Sequence, residues 1–275
     1  MAVEDTLVRG ALSSEHVKFP AMRPQRIIKS TRYRLTHKPV LHFLHLPKTG
    51  GTAIRAALEG HEFEGRYALK LHRGRRHLLT FPEIPPGERV FFAIRDPVDR
   101  FVSAFYSRLR RGQPRYDVPW TPGEELVFKR FSSASQLAEA LDSDDPEAKD
   151  AAVAGMGAVR HFARYSHWLG PMENFRARLS DVVTVLHTES LTADFGEART
   201  ILGVTATLPH DDIGAHRNPV RVDRSLSVRA TTNLRTWYAQ DFDYIDVSNR
   251  VDVRSGQHRE HGPRVGGDRG DEHGT

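Results

Sequence analysis

Cysteine is absent from all 275 residues, which excludes disulfides, thiolate zinc sites and a cysteine nucleophile together. That fits a reducing compartment. Also missing is any run approaching the roughly 18 apolar residues that a membrane-spanning helix needs. The N-terminus carries no apolar stretch of the secretory kind, because Glu4, Asp5, Arg9, Glu15 and Lys18 interrupt it. A cytoplasmic protein without a transmembrane segment is the expectation. Internal repeats are lacking, and no metal-binding cluster stands out among the fifteen histidines.

The composition that remains, 39% hydrophobic and 27% charged with 14 Phe, is that of a globular protein with a real core. The net charge of +5 is unevenly spread. Residues 1–38 hold eight Lys/Arg against Glu4, Asp5 and Glu15, so this arm alone accounts for the excess. Further basic stretches run through Arg66, Lys70, Arg73, Arg75 and Arg76, and through Arg95, Arg100, Arg108, Arg110, Arg111 and Arg115. Any one of these residues reads as solvated surface. Three clusters together point to an anionic ligand or partner.

The pattern predicts a basic arm over 1–38, a folded domain over 39–250 and a disordered tail over 251–275, which has six glycines and almost no apolar residues. VLHFLHL (40–46), RVFFAI (89–94) and DVVTVL (181–186) read as buried strands. Helices are expected from Thr52, from Pro97 with Asp96 as N-cap, over 133–141, 146–162 and 191–202, and finally over 226–244. Strands alternating with helices imply an α/β fold, a parallel sheet covered on both faces, with ligands beyond the carboxyl ends of the strands.

Two segments lie at such ends. The first is HLPKTGGT (45–52). A strand, a glycine turn and a helix N-terminus form an anion site, with backbone N–H groups aimed at the ligand. Gly50 and Gly51 let the backbone come close, Thr49 and Thr52 add hydroxyls, and Lys48 adds a cation. This is not the Walker A pattern, whose lysine follows its last glycine. A turn that merely needs Gly-Gly would leave Lys48 and both threonines unexplained. The second segment is RDPVDRFVSAFY (95–106). Arg95 ends a buried strand and Ser103 stands two helical turns on, an arginine fork and a hydroxyl suited to a phosphate monoester. A purely structural Arg95–Asp96 or Arg95–Asp99 ion pair is the competing reading.

PKTGGT after a strand resembles the 5′-phosphosulfate-binding loop of sulfotransferases that use PAPS (3′-phosphoadenosine-5′-phosphosulfate). RDPVDRFVSAFY resembles their 3′-phosphate-binding strand and helix. The pair is similar to the group that includes heparan sulfate 2-O-sulfotransferases and bacterial relatives, over about residues 39–248. The resemblance implies a P-loop NTPase-like parallel sheet flanked by helices, the sulfotransferase fold. It implies sulfuryl transfer from PAPS, with PAP (the desulfonated product) released, to a hydroxyl acceptor, a glycan first and a small molecule or a protein tyrosine next. Nucleic acid is not an expected partner.

By the same resemblance Lys48 would contact the bridging oxygen of the donor. Pro47, Thr49, Gly50, Gly51 and Thr52 would hold the 5′-phosphate, and Arg95 and Ser103 the 3′-phosphate. Related enzymes keep a catalytic histidine between the two motifs. His77 is the first candidate here and His72 the second, ahead of His61, with Glu62 and Glu64 as carboxylate alternatives. A loop over 210–219 with His216, Arg217 and Asn218 would close on the nucleotide or form an ordinary connection. Arg73, Arg75, Arg76, Arg110, Arg111 and Arg115 would suit an anionic saccharide. Two other classes compete: a polyanion binder without catalysis, and a nucleotide-dependent phosphotransferase, which would need the missing Walker A lysine.

Overall fold

VLHFL and RVFFAI are apolar at successive positions, so both faces of the strands they form must be covered. The computed structural model describes residues 38–59, 65–72, 77–209 and 223–254. Strands β1 (Val40–Leu44), β2 (Ala68–Lys70), β3 (Arg89–Ile94) and β4 (Val182–His187) pair in parallel in the order β2-β1-β3-β4. Phe43 of β1 lies opposite Phe91 of β3, and Ile94 closes β3 opposite His187. The helices are α1 (Gly51–Leu58), α2 (Pro97–Leu109), α3 (Pro122–Arg130), α4 (Ala134–Ala140), α5 (Pro146–Ala158), α6 (Ser166–Leu169), α7 (Met172–Ala177), α8 (Leu191–Leu202), α9 (Val228–Trp237) and α10 (Ala239–Arg254).

Alternate residues of the strands go to opposite cores. Leu41, Phe43, Phe91 and Leu186 pack under α1 and α8 against Ile54, Leu58, Phe195 and Leu202. Leu44, Phe92 and Ile94 face the other way, onto Trp168, Phe175, Tyr244 and Val247. A third core joins Phe101 and Phe105 of α2 to Phe128, Leu137, Met156 and Leu234. The parallel sheet with helices on both faces is the expected α/β architecture.

Local chemistry explains several ends. The Asp96 carboxylate accepts from the N–H groups of Val98 (2.8 Å) and Asp99 (3.1 Å), and Pro97 occupies the first turn of α2. Thr121 and Glu124 form a reciprocal capping box on α3.

Other expectations need correcting. Edge strand β2 falls in a stretch without strand-like patterning. The helix expected over 146–162 stops at Ala158, because Val159 turns extended and 160–162 forms a short 3-10 turn. The single helix expected over 226–244 is two: α9 packs on α4 and α10 on β4. Between them stands the fully buried Tyr238, whose hydroxyl donates to the Phe162 carbonyl at 2.7 Å. Helix α10 runs to Arg254, past the boundary expected at residue 250, with Val251 buried in the sheet core.

Arg100, counted with the basic stretches in sequence, is fully buried instead. Its guanidinium pairs with the equally buried Asp241 at 3.3 Å and donates to the carbonyls of His161 (3.3 Å) and Ala163 (2.7 Å). The rings of Tyr165 (4.6 Å), Trp168 and Tyr238 (both 5.7 Å) surround it. Removing one member of such a pair strands the other charge in the core. Arg100→Ala should therefore lower the unfolding free energy by about 3–5 kcal/mol. Arg130→Ala, which breaks the exposed pair with Glu147, should cost no more than about 1 kcal/mol. Urea denaturation of both variants checks this, and equal costs would contradict it.

Candidate functional site

An open cavity of about 2270 Å³ lies beyond the carboxyl ends of β1, β3 and β4. Lys48, Gly50, Gly51 and Thr52 line it from the first motif, and Arg95, Asp96, Asp99 and Ser103 from the second. His45, His77 and His161 form another part of the wall.

The first loop leaves β1 with two residues in the left-handed region, Lys48 (φ 64) and Gly50 (φ 81). That conformation is unusual for a lysine and natural for a glycine. A Cβ on Gly50 would stand 2.5 Å from Leu191 Cδ2, and one on Gly51 would overlap the His45 ring. Gly50 is therefore favoured chiefly by its left-handed backbone, and Gly51 by the His45 ring packed against it. The N-terminus of α1 has no side-chain cap, and the N–H groups of Gly50, Gly51 and Thr52 find no acceptor among the described residues. Such orphan donors at the positive end of a helix dipole favour an anion. Thr49 behaves differently from expectation: its side chain is buried and its hydroxyl donates to the Leu46 carbonyl at 3.0 Å, bracing the turn. Neither Thr49 nor Pro47 lines the cavity.

Lys48 forms no ion pair among the described residues. Burial, reinforced by the charges of Arg110 and Arg95, pushes its amine down to about 7. Arg95 is likewise without a carboxylate within ion-pair distance, and its Nε is buried with no hydrogen-bond partner. Asp96 caps α2, and the carboxyl of Asp99 is pushed up chiefly by burial. The structural ion pair that competed with an anion site is thus not formed. Ser103 opens on the cavity from α2, with Ser107 one turn further on.

The His77 ring lies 4.2 Å from that of His45 and 5.6 Å from that of His161. Its Nδ1 stands 3.3 Å from the His45 carbonyl, an oxygen that can only accept, so Nδ1 is the donor in this contact. His161 had no signal in the sequence, because it follows a helix end far from either motif. Burial, then the charges of His77, Lys48, Arg108 and Arg100, holds its ring well below the usual histidine range.

His72, the second candidate base, is set apart from His77 in the structure. It lies outside the cavity, with Nε2 2.8 Å from His42 Nδ1, and His42 Nε2 reaches Glu88 at 2.5 Å. Burial and the charges of Lys70 and Arg178 push buried His42 down to about 3. A neutral His42 ring can donate to Glu88 and accept from His72. His61, Glu62, Glu64, Arg73, Arg75, Arg76 and the 210–219 loop lie outside the described residues.

The third basic stretch divides by partner. Arg108 is paired with Glu124 through two 2.7 Å bonds, and Arg110 donates to the carbonyls of Tyr106 and Gln113. Arg111 and Arg115 line the cavity, stacked over Trp120 (5.5 Å) and Tyr116 (5.6 Å). Trp168 belongs to the core beneath His77, to whose carbonyl it donates at 3.1 Å. Among the described residues no helix is long and apolar enough to cross a membrane.

A parallel α/β sheet with an uncapped strand–loop–helix, and two cations that form no ion pair among the described residues, at its carboxyl end has the architecture of phosphate-loop proteins. More narrowly, the chain belongs to the sulfotransferase family, whose sequence profile matches residues 31–246. Its fold is the sulfotransferase fold, and its chemistry as a transferase is sulfuryl transfer. No curated protein and no solved structure matches the chain.

An amine near 7 is half deprotonated at neutral pH, whereas ordinary lysines near 10.4 are not. An acylating reagent at neutral pH should therefore modify Lys48 before the exposed Lys129 and Lys149, and pyrophosphate should protect it. Peptide mass spectrometry reads the order. Labelling of Lys48 no faster than of Lys129 would contradict the assignment.

Proposed function

We propose that the protein transfers a sulfuryl group from PAPS to a hydroxyl group, with a glycan hydroxyl as the first acceptor class and a small molecule as the next. The observation that carries this reading is the pair Lys48 and Arg95, two cations without carboxylate partners, flanking an uncapped helix N-terminus in one cavity. The placement beside heparan sulfate 2-O-sulfotransferases, and a cytoplasmic location, belong to the same reading.

In this scheme the N–H groups of Gly50, Gly51 and Thr52 hold the 5′-phosphate, and Arg95 and Ser103 the 3′-phosphate. His77 Nε2 takes the acceptor proton as the acceptor oxygen bonds to sulfur. The bond between sulfur and the bridging oxygen breaks, leaving its electron pair on the 5′-phosphate of PAP. Lys48 neutralises that oxygen as charge develops on it. Positioning and charge stabilisation are the protein's main contribution to such a transfer, with proton removal by His77 beside them. Arg111 and Arg115 on the cavity wall favour an anionic acceptor. They would equally serve a non-catalytic polyanion binder, which salt-sensitive binding that survives Lys48→Ala and Arg95→Ala would identify.

Calorimetric titration with PAP, ADP and ATP tests the donor site. PAP should bind more tightly than ADP, and Arg95→Ala should cost PAP about 10–100-fold, the size of a hydrogen bond to a charged group, while ADP is little affected. Ser103→Ala should cost less in the same direction. With PAPS and an acceptor, His77→Ala should lower kcat by about 10²–10⁴ while PAP affinity holds. PAP binding no better than ADP would overturn the proposal.

A further inference from the structure

Arg95 sits where the sheet ends. Ile94 and His187 form the last rung between β3 and β4, so the peptide groups of Arg95 have no strand partner. Tyr165 takes that place. Its hydroxyl accepts from the Arg95 N–H at 2.9 Å and donates to the Arg95 carbonyl at 2.6 Å. One oxygen thus grips both polar groups of a single residue, which confines its backbone dihedrals and the direction of its Cα–Cβ bond.

Tyr165 is itself held from behind. It is fully buried, its N–H donates to both Asp241 oxygens at 3.1 Å, and its ring lies 4.6 Å from the Arg100 guanidinium. The backbone of Arg95 is therefore tied to the centre of the protein, while its guanidinium Nε has no partner. Packing needs only the ring, which fills the sheet core beside Trp168 and Tyr244. A phenylalanine would fill the same space, and what the hydroxyl adds is the grip.

We propose that Tyr165 is a positioning residue for the donor nucleotide, its hydroxyl aiming the Arg95 guanidinium at the 3′-phosphate by holding both ends of the Arg95 peptide. The inference rests on the donor reading above. Without the hydroxyl, the Arg95 N–H and carbonyl lose their buried partner and the side chain loses its fixed origin.

The test uses Tyr165→Phe in the full chain. PAP affinity should fall about fivefold to tenfold, one neutral hydrogen bond's worth, with ADP affinity held within about twofold. The KM for PAPS should rise while kcat holds. In an Arg95→Ala background the same substitution should have almost no further effect on PAP, since there is no guanidinium left to aim. Unchanged PAP affinity, a parallel loss of PAP and ADP, or an undiminished effect in the Arg95→Ala background would each overturn the proposal.

Amide hydrogen exchange of the peptide containing Arg95 reads the grip without any nucleotide. It should be faster in Tyr165→Phe, and unchanged exchange would also overturn the proposal. A wild-type protein that does not prefer PAP to ADP would instead sink the donor reading, with the grip still judged by exchange. Should Tyr165→Phe fail to accumulate folded, exchange in the wild-type protein decides: the Arg95 amide, beyond the last rung of the sheet, should exchange as slowly as that of Ile94, and fast exchange there would overturn the proposal.

Discussion

The buried ion pair between Arg100 and Asp241 is the knot from which the working parts hang. Arg100 comes from the second motif on α2 and Asp241 from the first turn of α10, far away in sequence. Between them they fix the segment 161–165 through its backbone: the carbonyls of His161 and Ala163 accept from Arg100, and the Tyr165 N–H donates to Asp241. That segment carries one wall residue of the cavity and the hydroxyl that holds Arg95. Two charges taken out of water are costly unless their geometry and remaining hydrogen bonds are good. Here the partners that satisfy them are the same groups that must be held still.

The cavity follows the opposite rule. Lys48 and Arg95 face it without carboxylates, and Lys48 adopts a backbone conformation that lysine seldom takes. Each feature costs stability in the free protein, a cost that an anion in the cavity would offset. Cations arranged in advance need no reorganisation when charge develops on a ligand. Arg100 is paired in the core, whereas Lys48 and Arg95 form no ion pair with the described residues at the cavity.

Much of this was legible beforehand, for identifiable reasons. Runs such as RVFFAI announce strands buried on both faces, and Asp96-Pro97 announces a helix start, because each depends on local chemistry alone. That the two motifs would meet beyond the carboxyl ends of the strands was readable on the same ground. Strand β2 was not, since three residues borrowing their pairing from β1 carry no pattern of their own. The division of the last helix at Tyr238 was hidden because it reflects which core each half meets. Charge misled most: Arg100 and Arg111 look alike in a basic stretch, yet one is in the core and the other on the cavity wall. His161 and Tyr165 were invisible because only tertiary packing brings them to the motifs. Nearness in sequence to the second strand did not disclose that His72 sits against His42, outside the cavity lining.

The contact between Gly51 and His45 has an evolutionary corollary. The space a side chain at position 51 would need is filled by an imidazole, and that imidazole is also the surface on which His77 rests. Positions 45, 51 and 77 therefore cannot drift separately. A relative with a larger residue in the loop must carry a smaller one at the end of its first strand, and so must find another support for its histidine. Covariation among these three positions across diverging lineages would record the same steric fact that this chain settles with a glycine.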